Sequence, residues 1–229
     1  QRDTMRIAVI GSGNVGGTLG RRWATLGHDV VFGVRDPKRG AAAVKGGAGK
    51  GALPDRARVA TPAQAVRGDA GWRADVVLVA TPWPAVASAL SELGPGALDG
   101  VVLLDATNPL GPGLRLESGP DGASGAEQVQ ALAPTARVVK AFNTTGFDNM
   151  RDPVYEGRAS VMFYAGDDAA ARQVAHQLAT DLGFDAVDAG PLVRARELEH
   201  LAVLWISLAM GVGGTPSHGR SIAFRLMRR

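Results

Sequence analysis

The chain has 229 residues, 45% of them apolar, which is enough to bury a sizeable core and excludes a disordered chain. Without cysteine it can build no disulfide framework, thiolate metal site or thiol nucleophile, and His28, His176, His200 and His218 show no metal-ligand spacing, so no metal is expected. Twenty-five basic against 22 acidic residues leave a net charge of +3, too small and too scattered for a nucleic-acid-binding face.

The N-terminus enters an apolar run within a few residues, lacking the charged, apolar and small-residue zones of a signal peptide, and Met5 reads as a natural start. The longest apolar stretch, 201–212, is shorter than the about 20 residues a bilayer span needs and reads as a buried or interface helix. A cytoplasmic protein with no membrane contact is the expectation.

β-branched runs at 6–10, 29–32, 75–80, 101–105 and 137–141 read as strands buried on both faces, and 15–26, 82–93 and 126–133 have helical spacing. That alternation predicts an α/β, doubly wound parallel sheet over residues 1–143. The Gly/Ala-rich stretch 40–51 reads as a weak helix or a loop. Its Gly-Ala-Gly-Lys-Gly string is not a Walker loop, because Val44 stands where glycine is needed and Gly51 where Ser or Thr is needed. Residues 144–229 predict a smaller α/β unit with strands at 160–165 and 185–188 and helices at 169–182 and 192–210. A tail with four arginines from Arg220 to Arg229 reads as a solvated terminus.

Between the first strand and the first helix lies Gly11-Ser12-Gly13-Asn14-Val15-Gly16. In that context Gly11 permits a tight turn, Gly13 lets the backbone approach a pyrophosphate, and Gly16 allows close helix–strand packing under a helix N-terminus that attracts anions. The competing reading is a tight turn without a ligand. The second strand runs into Gly33-Val34-Arg35-Asp36-Pro37-Lys38-Arg39, with no carboxylate at its tip to grip the ribose 2′-hydroxyl of NAD. Arg35, with Arg39 or Lys38, suits the 2′-phosphate of NADP(H), and Asp36 reads as a capping or turn residue.

In a doubly wound sheet the ligand lies beyond the carboxyl ends of the strands, which singles out Thr81-Pro82-Trp83-Pro84, Ala106-Thr107-Asn108-Pro109 and Phe142-Asn143-Thr144-Thr145-Gly146. Thr81 and Pro82 also fit a helix start, and Trp83 could simply pack on that helix. Neither Tyr155 nor Tyr164 is followed four residues later by lysine, so no Tyr-Lys proton relay is present. A site without a good acid favours ring-to-ring hydride transfer between two cofactors, where catalysis is chiefly positioning.

The glycine turn with Leu26-Gly27-His28, Gly33-Val34-Arg35, Thr81-Pro82-Trp83, and Asp188-Ala189-Gly190-Pro191-Leu192 followed by Arg196 and Glu199 together resemble the F420-dependent NADP reductases over nearly the whole chain. The resemblance implies hydride exchange between NADP(H) and a deazaflavin, coenzyme F420. It implies that Gly11, Ser12, Gly13, Asn14, Val15 and Gly16 contact the dinucleotide and that Val34, Arg35 and Arg39 surround its 2′-phosphate. Thr81, Pro82, Trp83, Ala87 and Asn108 would line its path, and Asn143, Thr145 and Phe147 would border the nicotinamide and the deazaflavin, without a certain catalytic residue. The segment 138–143 is similar instead to the cytosolic domain of six-transmembrane metalloreductases, which pass electrons to a flavin, so a flavin-like acceptor is a further expectation. Arg196 and Glu199, three apart on a helix, fit an exposed ion pair as well as a site role. Two other readings stay open: NADPH-dependent reduction of another small acceptor such as an imine, and a non-enzymatic NADPH-sensing module. The apolar helix at 201–210 predicts a homodimer.

Overall fold

A computed structural model describes residues 3–45, 51–68 and 71–229. The Gly-Ala-Gly-Lys string at 47–50 lies outside the described residues. The chain folds in the order β1 (Arg6–Ile10), α1 (Asn14–Thr25), β2 (Asp29–Gly33), β3 (Ala57–Ala60), α2 (Pro62–Arg67), β4 (Val76–Val79), α3 (Val86–Ser91), β5 (Val102–Asp105), α4 (Gly125–Leu132) and β6 (Arg137–Ala141). It continues through α5 (Phe147–Arg151), the hairpin β7 (Val154–Tyr155) and β8 (Arg158–Ala159), β9 (Val161–Gly166), α6 (Ala169–Asp181), β10 (Asp185–Asp188) and α7 (Ala195–Met210).

Eight strands form one sheet in the order β10-β9-β6-β5-β4-β1-β2-β3, parallel throughout except where β9 runs antiparallel to β6. This is the doubly wound α/β fold. Alternate side chains of each strand feed two separate cores: Ile7 and Val9 enter one with Trp23 and Phe32, whereas Ala8 and Ile10 enter the other with Val77, Val79 and Leu103. Each fully buried Val, Leu, Ile or Phe contributes roughly 1.5–3 kcal/mol, which is why these strands read as unbroken apolar runs. Both edge strands are short and carry charge, Arg58 on β3 and Asp185 and Asp188 on β10, which discourages pairing with another sheet.

The C-terminal segment 144–229 therefore extends the same sheet. Besides the β6–β9 pairing, the side chains of α1 and its loop hold it to residues 1–143: Arg22 donates to the carbonyls of Met150 (3.0 Å) and Leu182 (2.7 Å), Trp23 Nε1 donates to Leu178 O (3.1 Å), and His28 Nε2 meets Asp181 Oδ2 at 3.1 Å.

Several elements depart from expectation. The edge strand β3, with Arg58 among only four residues, carries too weak an apolar signal to be read from sequence. The helix expected over 82–93 begins as a 3-10 turn, Trp83–Ala85, because Pro82 and Pro84 remove two backbone donors, and becomes α-helical only from Val86. The basic tail does not dangle: Val161 N–H donates to Phe224 O (2.9 Å), Trp205 Nε1 donates to Ile222 O (2.8 Å), and Arg220 lies 4.5 Å over the Phe147 ring. Those partners lie far away in sequence, so the tail's composition could not announce them.

Candidate functional site

Strand register decides where the site lies. Ile10 stands beside Gly33 on one side and Val79 on the other, Val79 beside Asp105, and Asp105 beside Lys140, so the C-terminal ends of β2, β1, β4, β5 and β6 form one level lip. The chain reverses direction across the sheet between β1 and β4, and the crevice above that switch point is where such sheets take ligands.

A cavity of about 380 Å³ opens there, bordered by Gly11, Ser12, Gly13, Val34, Arg35, Arg39, Thr81 and Pro82. The glycine turn that forms its floor is dictated by contact distances. At Gly11, with φ +103°, a Cβ would stand 2.6 Å from the backbone carbon of Ala80; at Gly16 it would stand 1.9 Å from Gly11 O. A Cβ on Gly13 would meet nothing within 4 Å, so this position faces open space above the turn. Helix α1 starts directly after it with no side-chain cap, leaving its first-turn N–H groups for an external acceptor. Ser12 Oγ donates to Ala43 O (2.7 Å) and Lys45 N–H donates to Ser12 O (2.8 Å), so Ser12 anchors the following segment against the turn.

On the opposite wall, Arg35 and Arg39 are exposed, and among the described residues neither guanidinium has an ion pair or side-chain hydrogen bond. Asp36 is a turn residue whose carboxylate accepts from Lys38 N–H at 3.2 Å. Lys38 is not part of the cavity lining. Thr81 is not an N-cap: the 3-10 turn after it has no side-chain cap, and Thr81 Oγ1 is buried beside the cavity without a partner among the described residues.

Not all expected residues converge here. Asn14, Val15 and Gly16 belong to the first turn of α1 and are not lining residues; Trp83 packs against the second core; Ala87 lines a separate depression with Leu90 and Pro95. Sequence reasoning missed Ala85, Ser88, Ala89 and Glu92, which border the cavity. Their spacing of three, four and seven on a helix opposite the buried Val86, Leu90 and Leu93 was the available signal.

Asn108, Asn143, Thr145 and Phe147 are absent from this cavity and gather beyond β5 and β6. Asn108 and Asn143 interlock: Asn108 Nδ2 donates to Asn143 O (3.0 Å), and Asn143 Nδ2 donates to Asn108 Oδ1 (3.0 Å) and to Leu198 O (3.2 Å). Asn143 Oδ1 is buried without a partner among the described residues. Phe142 holds a φ of +62°, a conformation bulky residues avoid, and is fixed there by complete burial and an edge-to-face contact with Trp23 at 5.5 Å. Thr145 Oγ1 accepts from Asn149 Nδ2 at 2.7 Å.

Arg196 and Glu199 do not pair with each other. Arg196 grips Glu127 with two bonds of 2.8 Å, and Glu199 turns inward to Lys140 and to the N-terminus of α4. On α7 the two side chains therefore serve different neighbours. The Arg196 guanidinium, helped by the Ser124 N–H and hydroxyl, outweighs desolvation and holds the Glu127 carboxyl down to about 2.

Comparison with known proteins bears on this geometry. Residues 6–109 match the model of the family described as NADP oxidoreductase, coenzyme F420-dependent. The chain is 30% identical over 212 residues to the F420-dependent NADP reductase of Methanothermobacter thermautotrophicus, covering 89% of each. The chain belongs to the F420-dependent NADP reductase family. A crystal structure from Arthrobacter sp. FB24, provisionally named F420-dependent NADP-reductase, superposes with a TM-score of 0.81 at 34% identity, over 98% of this chain and all of that one. The chain is also 30% identical over 198 residues to metalloreductase STEAP3 of Rattus norvegicus, 86% of this chain but only 36% of that protein's length.

The residues present fit the dinucleotide that the family's name implies. Open space above Gly13, free N–H groups at α1, the two guanidiniums and the Thr81 hydroxyl, unpartnered among the described residues, make a polar cradle around the ends of β2, β1 and β4. Among the described residues no helix is long and apolar enough to cross a membrane, and no three His, Asp or Glu side chains cluster as metal ligands.

Proposed function

We propose that this enzyme transfers hydride between NADP(H) and coenzyme F420 or a flavin-like acceptor. The adenosine half of NADP(H) would occupy the cavity above the glycine turn, with Arg35 and Arg39 on the 2′-phosphate and the α1 N-terminus on the pyrophosphate. The nicotinamide half would then reach over β4 and β5 toward Asn108 and Asn143. The acceptor would lie against the unit formed by residues 144–229, bordered by Thr145 and Phe147.

Bound NADPH supplies the hydride; the protein's part is to hold two flat rings in contact and exclude water. The Asn108–Asn143 pair offers amide groups rather than an acid, which suits a reaction needing no protonation of an alkoxide. The observation that carries the reading is the pair of unpartnered guanidiniums facing the glycine turn across one cavity. Helix α7 exposes Leu204 and Met210, which supports a homodimer through that helix; sedimentation as a monomer at micromolar concentration would refute this.

Titration with NADPH, NADH, coenzyme F420 and flavin mononucleotide tests the reading. Tight binding of NADPH and bleaching of oxidised F420 absorbance on mixing are expected. Tight NADPH binding with neither F420 nor flavin reduced would overturn the acceptor assignment, and absence of NADPH binding would overturn the whole.

A further inference from the structure

Beneath the interlocked asparagines lies an ion cluster that the hydride-transfer reading does not use. Lys140, the penultimate residue of β6, is fully buried, as is Asp105, its register partner at the end of β5; Glu199 enters from α7. Lys140 Nζ donates to Thr107 O (2.7 Å) and forms ion pairs with Asp105 Oδ2 (2.8 Å) and Glu199 Oε1 (2.9 Å). Asp105 Oδ1 accepts from Thr107 N–H (2.9 Å) and Thr107 Oγ1 (2.6 Å), while Glu199 accepts from the Gly125 (3.0 Å) and Ala126 (3.3 Å) N–H groups.

Two features need explaining. Burying an ammonium and two carboxylates costs more than an apolar core of the same volume, so stability alone does not account for the cluster. Desolvation pushes the Lys140 ammonium down, yet the two neighbouring carboxylates prevail and hold its pKa above the ordinary lysine value, so the ammonium stays charged. The cluster also pins every polar atom of Thr107, the residue immediately before Asn108. Asn108 in turn sets the side-chain and backbone position of Asn143, next to the left-handed Phe142. The loops after β5 and β6 thus have one arrangement available, and both are fastened to α7 through Glu199 and Leu198 O.

The geometry points to Lys140, clamped between Asp105 and Glu199, as a positioning residue that fixes the Asn108–Asn143 platform under the nicotinamide half of NADP(H). The adenosine half has no share in it, since its cavity borders none of these residues. This rests on the NADP(H) reading above, and the test separates the two.

Glu199→Gln removes one charge while keeping shape, and Thr107→Val removes the hydroxyl bond to Asp105 while leaving the two backbone bonds of residue 107 and every charge in place. Each variant is titrated with 2′,5′-ADP, which reports the adenosine half alone, and with NADPH, whose fluorescence yield and anisotropy report how firmly the nicotinamide is held. We expect 2′,5′-ADP affinity within about twofold of wild type, fluorescence of bound NADPH moved toward the free value, and kcat for F420 reduction lowered roughly ten- to hundredfold with little change in KM for NADPH. A parallel loss of 2′,5′-ADP affinity, or unchanged fluorescence and kcat in Glu199→Gln, overturns the positioning role. Failure of the wild type to bind 2′,5′-ADP overturns the site reading instead.

Discussion

The two halves of the crevice are built on opposite principles. On the β1–β2 side the backbone does the work: Gly11 and Gly16 clear space for a turn, and the charged groups, Arg35 and Arg39, are exposed and unpartnered. On the β5–β6 side the side chains do it: Lys140 pairs with Asp105 and Glu199, Asn108 with Asn143, and among the described residues Asn143 Oδ1 is left without a partner. On the proposed reading, a half that grips a dianionic phosphate keeps its donors free until the ligand arrives, whereas a half that sets ring geometry spends its donors on itself. If the first supplies affinity and the second orientation, as proposed, changes in the two should separate binding from stability and rate.

The sharpest separation is expected at Phe142. Phe142→Ala empties a fully buried site while keeping the left-handed φ, at a cost of about 3–5 kcal/mol measured by chemical denaturation. A cost below that of an ordinary surface substitution would mean that the β5–β6 side is not the rigid half. Arg35→Ala should remove a charge-assisted contact of about 1.5–3 kcal/mol, weakening NADPH ten- to hundredfold by calorimetry and leaving NADH almost untouched. Equal losses for both dinucleotides would break the assignment of affinity to this wall.

The glycine turn can be dissected in the same terms. Gly16→Ala forces a Cβ against Gly11 O and should cost about 1–3 kcal/mol of stability, whereas Gly13→Val fills only open space and should melt like the wild type while failing to bind NADPH. Thermal melts with and without NADPH decide this; a Gly13→Val protein still stabilised by NADPH would contradict it. The smallest effect belongs to Glu127, which ties α4 to α7 outside both halves. Because its carboxyl is lowered from 4.5 to about 2 in the folded protein, its stabilisation is present above pH 4.5 and fades as pH falls toward 2. Glu127→Gln should therefore flatten the acid side of the stability profile and leave kcat unchanged. An acid limb as steep in the variant as in the wild type would remove Arg196–Glu127 as its source.

The strands of the doubly wound core and the turn around Gly11–Gly16 are legible in the sequence because their causes are local. An apolar strand buried on both faces needs a run of β-branched residues, and a turn that brings backbone within contact distance of Ala80 needs glycine at fixed positions. The type of residue at the tip of β2, arginine instead of carboxylate, is legible for the same reason. Ser88, Ala89 and Glu92 of the cavity wall were readable in principle from helical spacing, and Arg196 with Glu199 was misread because i,i+3 proximity suggested a pair that neither makes. What only the tertiary structure decided is which strand ends lie side by side. Lys140 meets Asp105 through the β5–β6 register, and Glu199 joins them only after α7 has returned across the sheet, so three charges separated by up to 94 positions share one buried point. No local pattern encodes such a meeting, because the free energy that tolerates buried charge appears only when all three partners are present at once.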